Sequence, residues 1–218
     1  MKRLAAILVL VMIVISGTST EASADSYYDR KVSLFELLPI SDGDVVFLGN
    51  SITDGGEFQE LFGDCRVKNR GINSDVISGV DRRLNQILRG RPAKIFLLIG
   101  INDVSHDLPA EKIADDYRNL VRKIRTESPG TKLYLQSIMP VNNSFGRYKR
   151  LAGKESVIEE VNTKIMWIAS DCGAHYIDLW NVLADADGKL KAEYTNDGLH
   201  LTGAGYVAWA EALRQYIE

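Results

Sequence analysis

Ser51 follows a short apolar run, Val45-Val-Phe-Leu-Gly49, and one further residue, Asn50. A buried strand that reaches a glycine and turns sharply presents such a serine at the tip of the turn. A serine hydroxyl is a weak nucleophile until a base removes its proton. The chain has three histidines, and one of them, His200, closes the run Asp197-Gly-Leu-His200 near the C-terminus. Its imidazole is suited to take the Ser51 proton. A carboxylate three residues earlier is suited to accept the other ring N–H, fixing the tautomer and stabilising the imidazolium. Ser51, His200 and Asp197 are therefore the candidate catalytic residues, and attack on an ester carbonyl is the candidate reaction. That attack creates an oxyanion. Its candidate donors are the backbone N–H groups of Ser51 and Gly71 and the side-chain amide of Asn102, each just after an apolar run. Losing one such donor typically costs about 10²–10³ in turnover. Glycine at 71 leaves the backbone open to close approach.

These residues need a scaffold that gathers them on one rim. Five short apolar runs read as strands: Val45–Gly49, Cys65–Asn69, Ile95–Gly100, Lys132–Ser137 and His175–Leu179. Helical stripes lie between and after them: Val76, Ile77, Val80, Leu84, Ile87 and Leu88; then Ile113, Tyr117, Leu120, Val121 and Ile124. Two more follow at Ile158, Val161, Ile165 and Ile168, and at Tyr206, Trp209, Ala210, Leu213 and Tyr216. Core packing accounts for all four stripes. Near-continuous apolar strands suit a parallel sheet covered on both faces, so the expected fold is a three-layer α/β/α sandwich. Ligands of an open α/β sheet bind beyond the carboxyl ends of its strands, where Ser51, Gly71, Asn102 and the Asp197/His200 loop all fall. The irregular stretch Pro140–Tyr148 belongs to the same rim.

Lys2, Arg3, twelve apolar residues from Leu4 to Ile15 and the small-residue run Ala22-Ser-Ala24 read as a secretory signal peptide. Residues 1–24 are thus expected to be removed and 25–218 to form one domain. Export places the protein in the periplasm or outside the cell. A net charge of −3 without a long basic run argues against nucleic-acid or anionic-lipid partners. No stable membrane insertion is expected after cleavage. Two cysteines are too few to frame the fold with disulfides, and no Cys/His cluster has zinc spacing.

Four ordered blocks resemble those of the SGNH hydrolases, also called the GDSL esterase/lipase family: Gly49-Asn-Ser51, Asn69-Arg-Gly71-Ile, Gly100-Ile-Asn102-Asp103 and Asp197-Gly-Leu-His200. They span nearly the whole mature chain. The resemblance implies a flavodoxin-like five-stranded parallel sheet of order 2-1-3-4-5. It also implies a Ser51-His200-Asp197 triad and an oxyanion hole from Ser51, Gly71 and Asn102. Asn50 stands where the namesake motif has aspartate. That variant resembles a branch containing carbohydrate acetylesterases and acetylhydrolases of the platelet-activating-factor type. With this strand order, Cys65 and Cys172 belong to opposite sheet edges, so no intrachain disulfide is expected.

The expected function is hydrolysis of acetyl or other short acyl esters through an acyl-enzyme, on a small-molecule or carbohydrate substrate, with no metal or organic cofactor. The rival enzyme reading is a lysophospholipase or thioesterase for longer chains. A reading from another class is a non-catalytic carbohydrate-binding protein on the same scaffold. Taken alone, Ser51 is as well suited to capping a helix, and Asn102 to a turn. Asp103 is expected to shape its loop or cap a helix, and His106 and His175 to lie outside the chemistry. Candidate substrate contacts are Asn50, Arg70, Phe145, Arg147 and Tyr148.

Overall fold

The computed structural model describes residues 26–217, so the expected signal peptide lies outside the described residues. In chain order the regular elements are α1 (Tyr27–Leu37), β1 (Val45–Gly49), α2 (Ser51–Asp54), α3 (Phe58–Phe62), β2 (Val67–Gly71), α4 (Ile77–Arg83) and α5 (Asn85–Leu88). They continue with β3 (Lys94–Leu98), α6 (Ile101–Ser105), α7 (Ala110–Glu127), β4 (Lys132–Gln136), α8 (Glu155–Asp171), β5 (His175–Ile177), α9 (Trp180–Leu183) and α10 (Gly203–Ile217). All five strands are parallel and lie in the order β2-β1-β3-β4-β5. The three-layer α/β sandwich and the strand order are as the sequence implied.

Val45–Leu48 and Ile95–Leu98 are buried without interruption, as expected of central strands covered on both faces. On one face α7 packs between α4 and α8; on the other α10 packs against α3 and α9. The sheet register places Phe47, Phe96, Tyr134 and His175 side by side across four strands. Their rings stack in sequence at centroid separations of 5.0, 4.5 and 5.0 Å. Phe58 from α3 stacks on Phe47 at 4.0 Å, and Trp209 from α10 meets both edge-on. His175 is thereby a member of an aromatic ladder.

Several boundaries differ from the sequence reading. β2 begins at Val67 because Asp64 draws Arg66 into a tight turn, its Oδ1 accepting from the Arg66 N–H at 2.8 Å. The long stripe from Val76 to Leu88 is two short helices rather than one. α1 carries no strong apolar stripe, and only Phe35 of it is buried. It is docked by polar bonds, among them Tyr28 Oη to the Gly79 carbonyl at 2.9 Å. Cys65 and Cys172 are both free and precede β2 and β5, the two edge strands. Four interstrand spacings of about 4.8 Å separate those edges, well beyond the ~7 Å reach of a disulfide. No helix among the described residues is long and apolar enough to cross a membrane.

Candidate active site

The turn after β1 carries Ser51 as the first residue of α2. Asn50 is its N-cap: Oδ1 accepts the Ile52 N–H at 3.0 Å, and the Asn50 carbonyl accepts from Asp54 N–H at 2.8 Å. Both capping bonds turn Asn50 inward, where it is 1 % exposed. The sequence placed it among candidate substrate contacts, but its side chain is consumed by the helix start.

The tail of α2 is pinned to β2. Asn69 Nδ2 donates to the carbonyls of Thr53 at 2.7 Å and Gly56 at 2.8 Å. The two elements come so close that a Cβ on Gly71 would collide with the Asp54 backbone. Glycine at 71 therefore serves this packing. Its N–H is not free for an oxyanion either, because it donates to Asn69 Oδ1 at 2.7 Å. Gly71 does not line the cleft that holds Ser51.

Three residues on, Ser74 does line that cleft. Ser74 has a left-handed backbone with φ 63° and lines the cleft beside Ser51 and Asn102. The turn is held by Ile72 N–H to the Gly49 carbonyl at 3.1 Å and by Asn73 N–H to Asp54 Oδ2 at 3.2 Å. Among the described residues, the N–H groups of Ser51 and Ser74 make no hydrogen bond. A serine in a backbone region that favours glycine costs energy, and such outliers collect at functional turns. Sequence reasoning passed over Ser74 because serine carries no mark of a positive φ.

Asn102 follows β3 and Gly100. One N–H of its amide donates to the Asp75 carbonyl at 2.8 Å, which orients the side chain. Behind it lies a buried ion pair: Arg83 Nη2 is 2.8 Å from Asp75 Oδ2, and both side chains are 1 % exposed. Burial pushes the Asp75 carboxyl up, and the Arg83 charge and hydrogen bonds oppose that rise. Arg83 also donates to the Gly49 carbonyl at 3.1 Å. One buried pair thus braces both the turn that presents Ser51 and the loop that orients Asn102. Its only trace in the sequence is an arginine within an apolar helical stripe. Asp103 is buried as well and receives the Ile77 N–H at 3.3 Å, capping α4. Burial lifts its carboxyl to about 6 despite its backbone hydrogen bonds.

The loop before α10 carries the other two groups. His200 Nε2 lies 3.0 Å from Ser51 Oγ, and His200 Nδ1 lies 2.8 Å from Asp197 Oδ2. Asp197 Oδ1 accepts the backbone N–H groups of Leu199 at 2.9 Å and His200 at 2.8 Å. Burial alone would raise the Asp197 carboxyl; the His200 side chain and those two amides outweigh it and hold it at about 2. An ionised Asp197 requires the proton on Nδ1 and leaves Nε2 as the acceptor for the Ser51 hydroxyl. Tyr148 Oη joins this group at 3.1 Å from Asp197 Oδ2 and 2.9 Å from His200 Nδ1.

Ser51 and His200 open into a cleft of about 580 Å³ whose wall includes Asn102, Ser105, Tyr148 and Leu151. Arg147 and Tyr148, two of the candidate contacts, are on it. Arg70 and Phe145 are not. Arg70 is buried under α1, donating to the Leu38 carbonyl at 2.9 Å with its guanidinium 4.8 Å from the Phe35 ring. Phe145 packs against Gly198 below the loop. Neither His106 nor His175 lines the cleft. Among the described residues, no group of three His, Cys, Asp or Glu side chains is placed to hold a metal ion.

The pattern defining the GDSL-like lipase/acylhydrolase family matches residues 47–208, from the first strand to the last helix. Among curated proteins, the rat platelet-activating factor acetylhydrolase IB subunit alpha2 is 24% identical over 180 residues, covering 80% of this chain and 76% of its own. The bovine isoamyl acetate-hydrolyzing esterase 1 homolog is 27% identical over 195 residues, covering 74% and 76% respectively. A solved structure from Streptococcus pneumonia, described as a platelet activating factor, superposes with a TM-score of 0.81 at 30% identity and covers 88% of this chain and 93% of that one. The acetyl xylan esterase AlAXEase has the same fold, with a TM-score of 0.66 at 21% identity over 80% of this chain and all of that one. The chain belongs to the GDSL-like lipase/acylhydrolase family and is a carboxylic ester hydrolase.

Proposed function

We propose that the protein hydrolyses acetyl or other short acyl esters of a polar alcohol by a Ser-His-Asp mechanism. The observation that carries this reading is the continuous chain Ser51 Oγ–His200–Asp197, at 3.0 and 2.8 Å, opening on the cleft. His200 Nε2 takes the Ser51 proton as Oγ attacks the acyl carbonyl. The oxyanion receives the Ser51 and Ser74 N–H groups and the second N–H of the Asn102 amide. The imidazolium then protonates the departing alkoxide, leaving an acyl ester on Ser51. Water, deprotonated by His200, attacks that ester; the acid leaves and Ser51 regains its proton. Asp197 stays ionised throughout and orients His200.

Acetyl as the acyl group draws support from the relatives. The rat protein is named an acetylhydrolase, the bovine one an isoamyl acetate esterase homolog, and AlAXEase an acetyl xylan esterase. Asn73, Ser105 and the charged side chains of the cleft wall offer hydrogen-bond partners to a polar alcohol such as a carbohydrate. Residues 1–24 as a signal peptide, with 25–218 as an exported domain, complete the proposal.

The test is hydrolysis of p-nitrophenyl esters from acetate to decanoate by the wild type and Ser51→Ala. Activity confined to acetate and butyrate and lost in Ser51→Ala is the expected result. A maximum at longer chains replaces this reading with a lysophospholipase or thioesterase. Absence of any Ser51-dependent hydrolysis overturns it.

A further inference from the structure

The cleft has a charge character at odds with the chain as a whole. The protein carries 29 acidic and 26 basic side chains, a net charge of −3. Yet the cleft wall holds three cations, Arg147, Lys149 and Arg150, and no carboxylate. Among the described residues none of the three has a hydrogen bond or salt bridge from its side chain. The carboxylates of the adjoining loops are engaged elsewhere: Asp197 by His200, and Asp107 by Lys154 at 2.7 Å, though Arg150 also acts on Asp107 through space.

The segment bearing these cations is anchored along its length. At one end Asn142 is buried, its N–H donating to the Gly198 carbonyl and its Nδ2 to that of Leu190, both at 2.8 Å. At the other end Leu151 is 2 % exposed. Between them Tyr148 is tied to Asp197 and His200. Arg147 and Lys149 flank that tie, and Arg150 adjoins Leu151, so their backbones are fixed at the mouth of the cleft. An isolated surface cation is ordinarily just solvated. Three on one anchored rim, with only Arg150 near a carboxylate and that one, Asp107, already paired to Lys154, focus a positive potential beside Ser51 where substrate must enter.

We propose that the cleft selects esters whose alcohol portion bears an anionic group, a carboxylate or a phosphate, read by Arg147, Lys149 and Arg150. This rests on the esterase reading and adds the charge of the substrate to it. The anion stays with the leaving alcohol and takes no part in bond making. Its attraction to the rim raises capture of the ester and lowers KM.

The experiment compares three acetates of similar size: neutral 4-acetoxybenzamide, 4-acetoxybenzoate and 4-acetoxyphenyl phosphate. Each kcat/KM is divided by that ester's rate of hydroxide hydrolysis, which removes intrinsic reactivity. The expected result at low ionic strength is a preference of about tenfold or more for the anionic esters, since three unit charges at several ångströms act together. Raising salt until the Debye length is near 3 Å should erase most of it. The variant Arg147→Gln/Lys149→Gln/Arg150→Gln should bring the anionic esters down toward the neutral one. Comparing carboxylate with phosphate identifies which anion the rim reads better. Equal corrected values for all three esters in the wild type, or a preference that survives in the triple variant, overturn the inference while the esterase reading stands. Lack of Ser51-dependent hydrolysis of every ester overturns both.

Discussion

Tyr148 shows how much chemistry one exposed side chain can bring to the Ser51–His200–Asp197 cluster. Burial first, then the Asp197 charge and hydrogen bond, raise its hydroxyl above the ordinary range, so it stays protonated and donates to Asp197. Asp197 thus shares its charge between His200 Nδ1 and Tyr148 Oη. Tyr148→Phe removes that competing donor and leaves the carboxylate more fully to the imidazolium. The expected outcome is an acid limb of the kcat/KM profile moved to higher pH by up to about one pH unit, because one hydrogen bond nets about 1 kcal/mol. An unchanged profile in Tyr148→Phe would mean that the residue only anchors its loop. The sequence marked Tyr148 as a candidate substrate contact; its bonds to Asp197 and His200 depend on a loop fold that no local pattern encodes.

At the scale of elements, the site is a matter of how α2, β2 and α4 are braced. The four blocks were legible because each needs a particular residue type at a strand end. Which residue of the second block lines the cleft was not. Gly71 looked suitable because glycine permits close approach, yet the close partner is the Asp54 backbone rather than an ester. Ser74 reaches the cleft through its backbone conformation, which its side chain does not advertise. The Asp75–Arg83 pair illustrates the same point, since each charge is intelligible only beside the other. Arg83→Leu leaves Asp75 buried without its partner and removes one of the two donors to the Gly49 carbonyl. A loss of about 3–5 kcal/mol in urea denaturation is expected, with lower kcat in whatever still folds. A near-neutral result would show that the pair does not brace the turn.

For the molecule as a whole, two carboxylates pull its pH dependence in opposite directions. Asp197, lowered from 3.8 to about 2, adds stability that is present above pH 3.8 and lost as pH falls toward 2. Asp103, raised from 3.8 to about 6, does the reverse. Between those values the folded state holds its proton and the unfolded state does not, so stability falls as pH rises from about 4 to 6. The group contributes on the order of 2–3 kcal/mol. Asp103→Asn keeps an acceptor for the Ile77 N–H and removes the charge. Denaturation at pH 4.5 and 7 should show a flatter profile in this variant and equal or greater stability at pH 7. A slope identical to the wild type would assign the dependence to other groups.

The sequence by itself determined the layered parallel sheet, because apolar runs and helical stripes are local properties of the chain; the strand order followed only from the resemblance of four ordered blocks to a known family. It also singled out Ser51, Asp197 and His200 by residue type and position. The tertiary structure alone decided that these three groups meet within hydrogen-bond distance, although 149 positions separate Ser51 from His200. It alone placed Ser74 rather than Gly71 on the cleft wall, withdrew Asn50 and Arg70 from the cleft, and gathered three cations on its rim. Each of those outcomes depends on distances between segments remote in the chain, and burial or contact across such a gap is a property of the packed molecule.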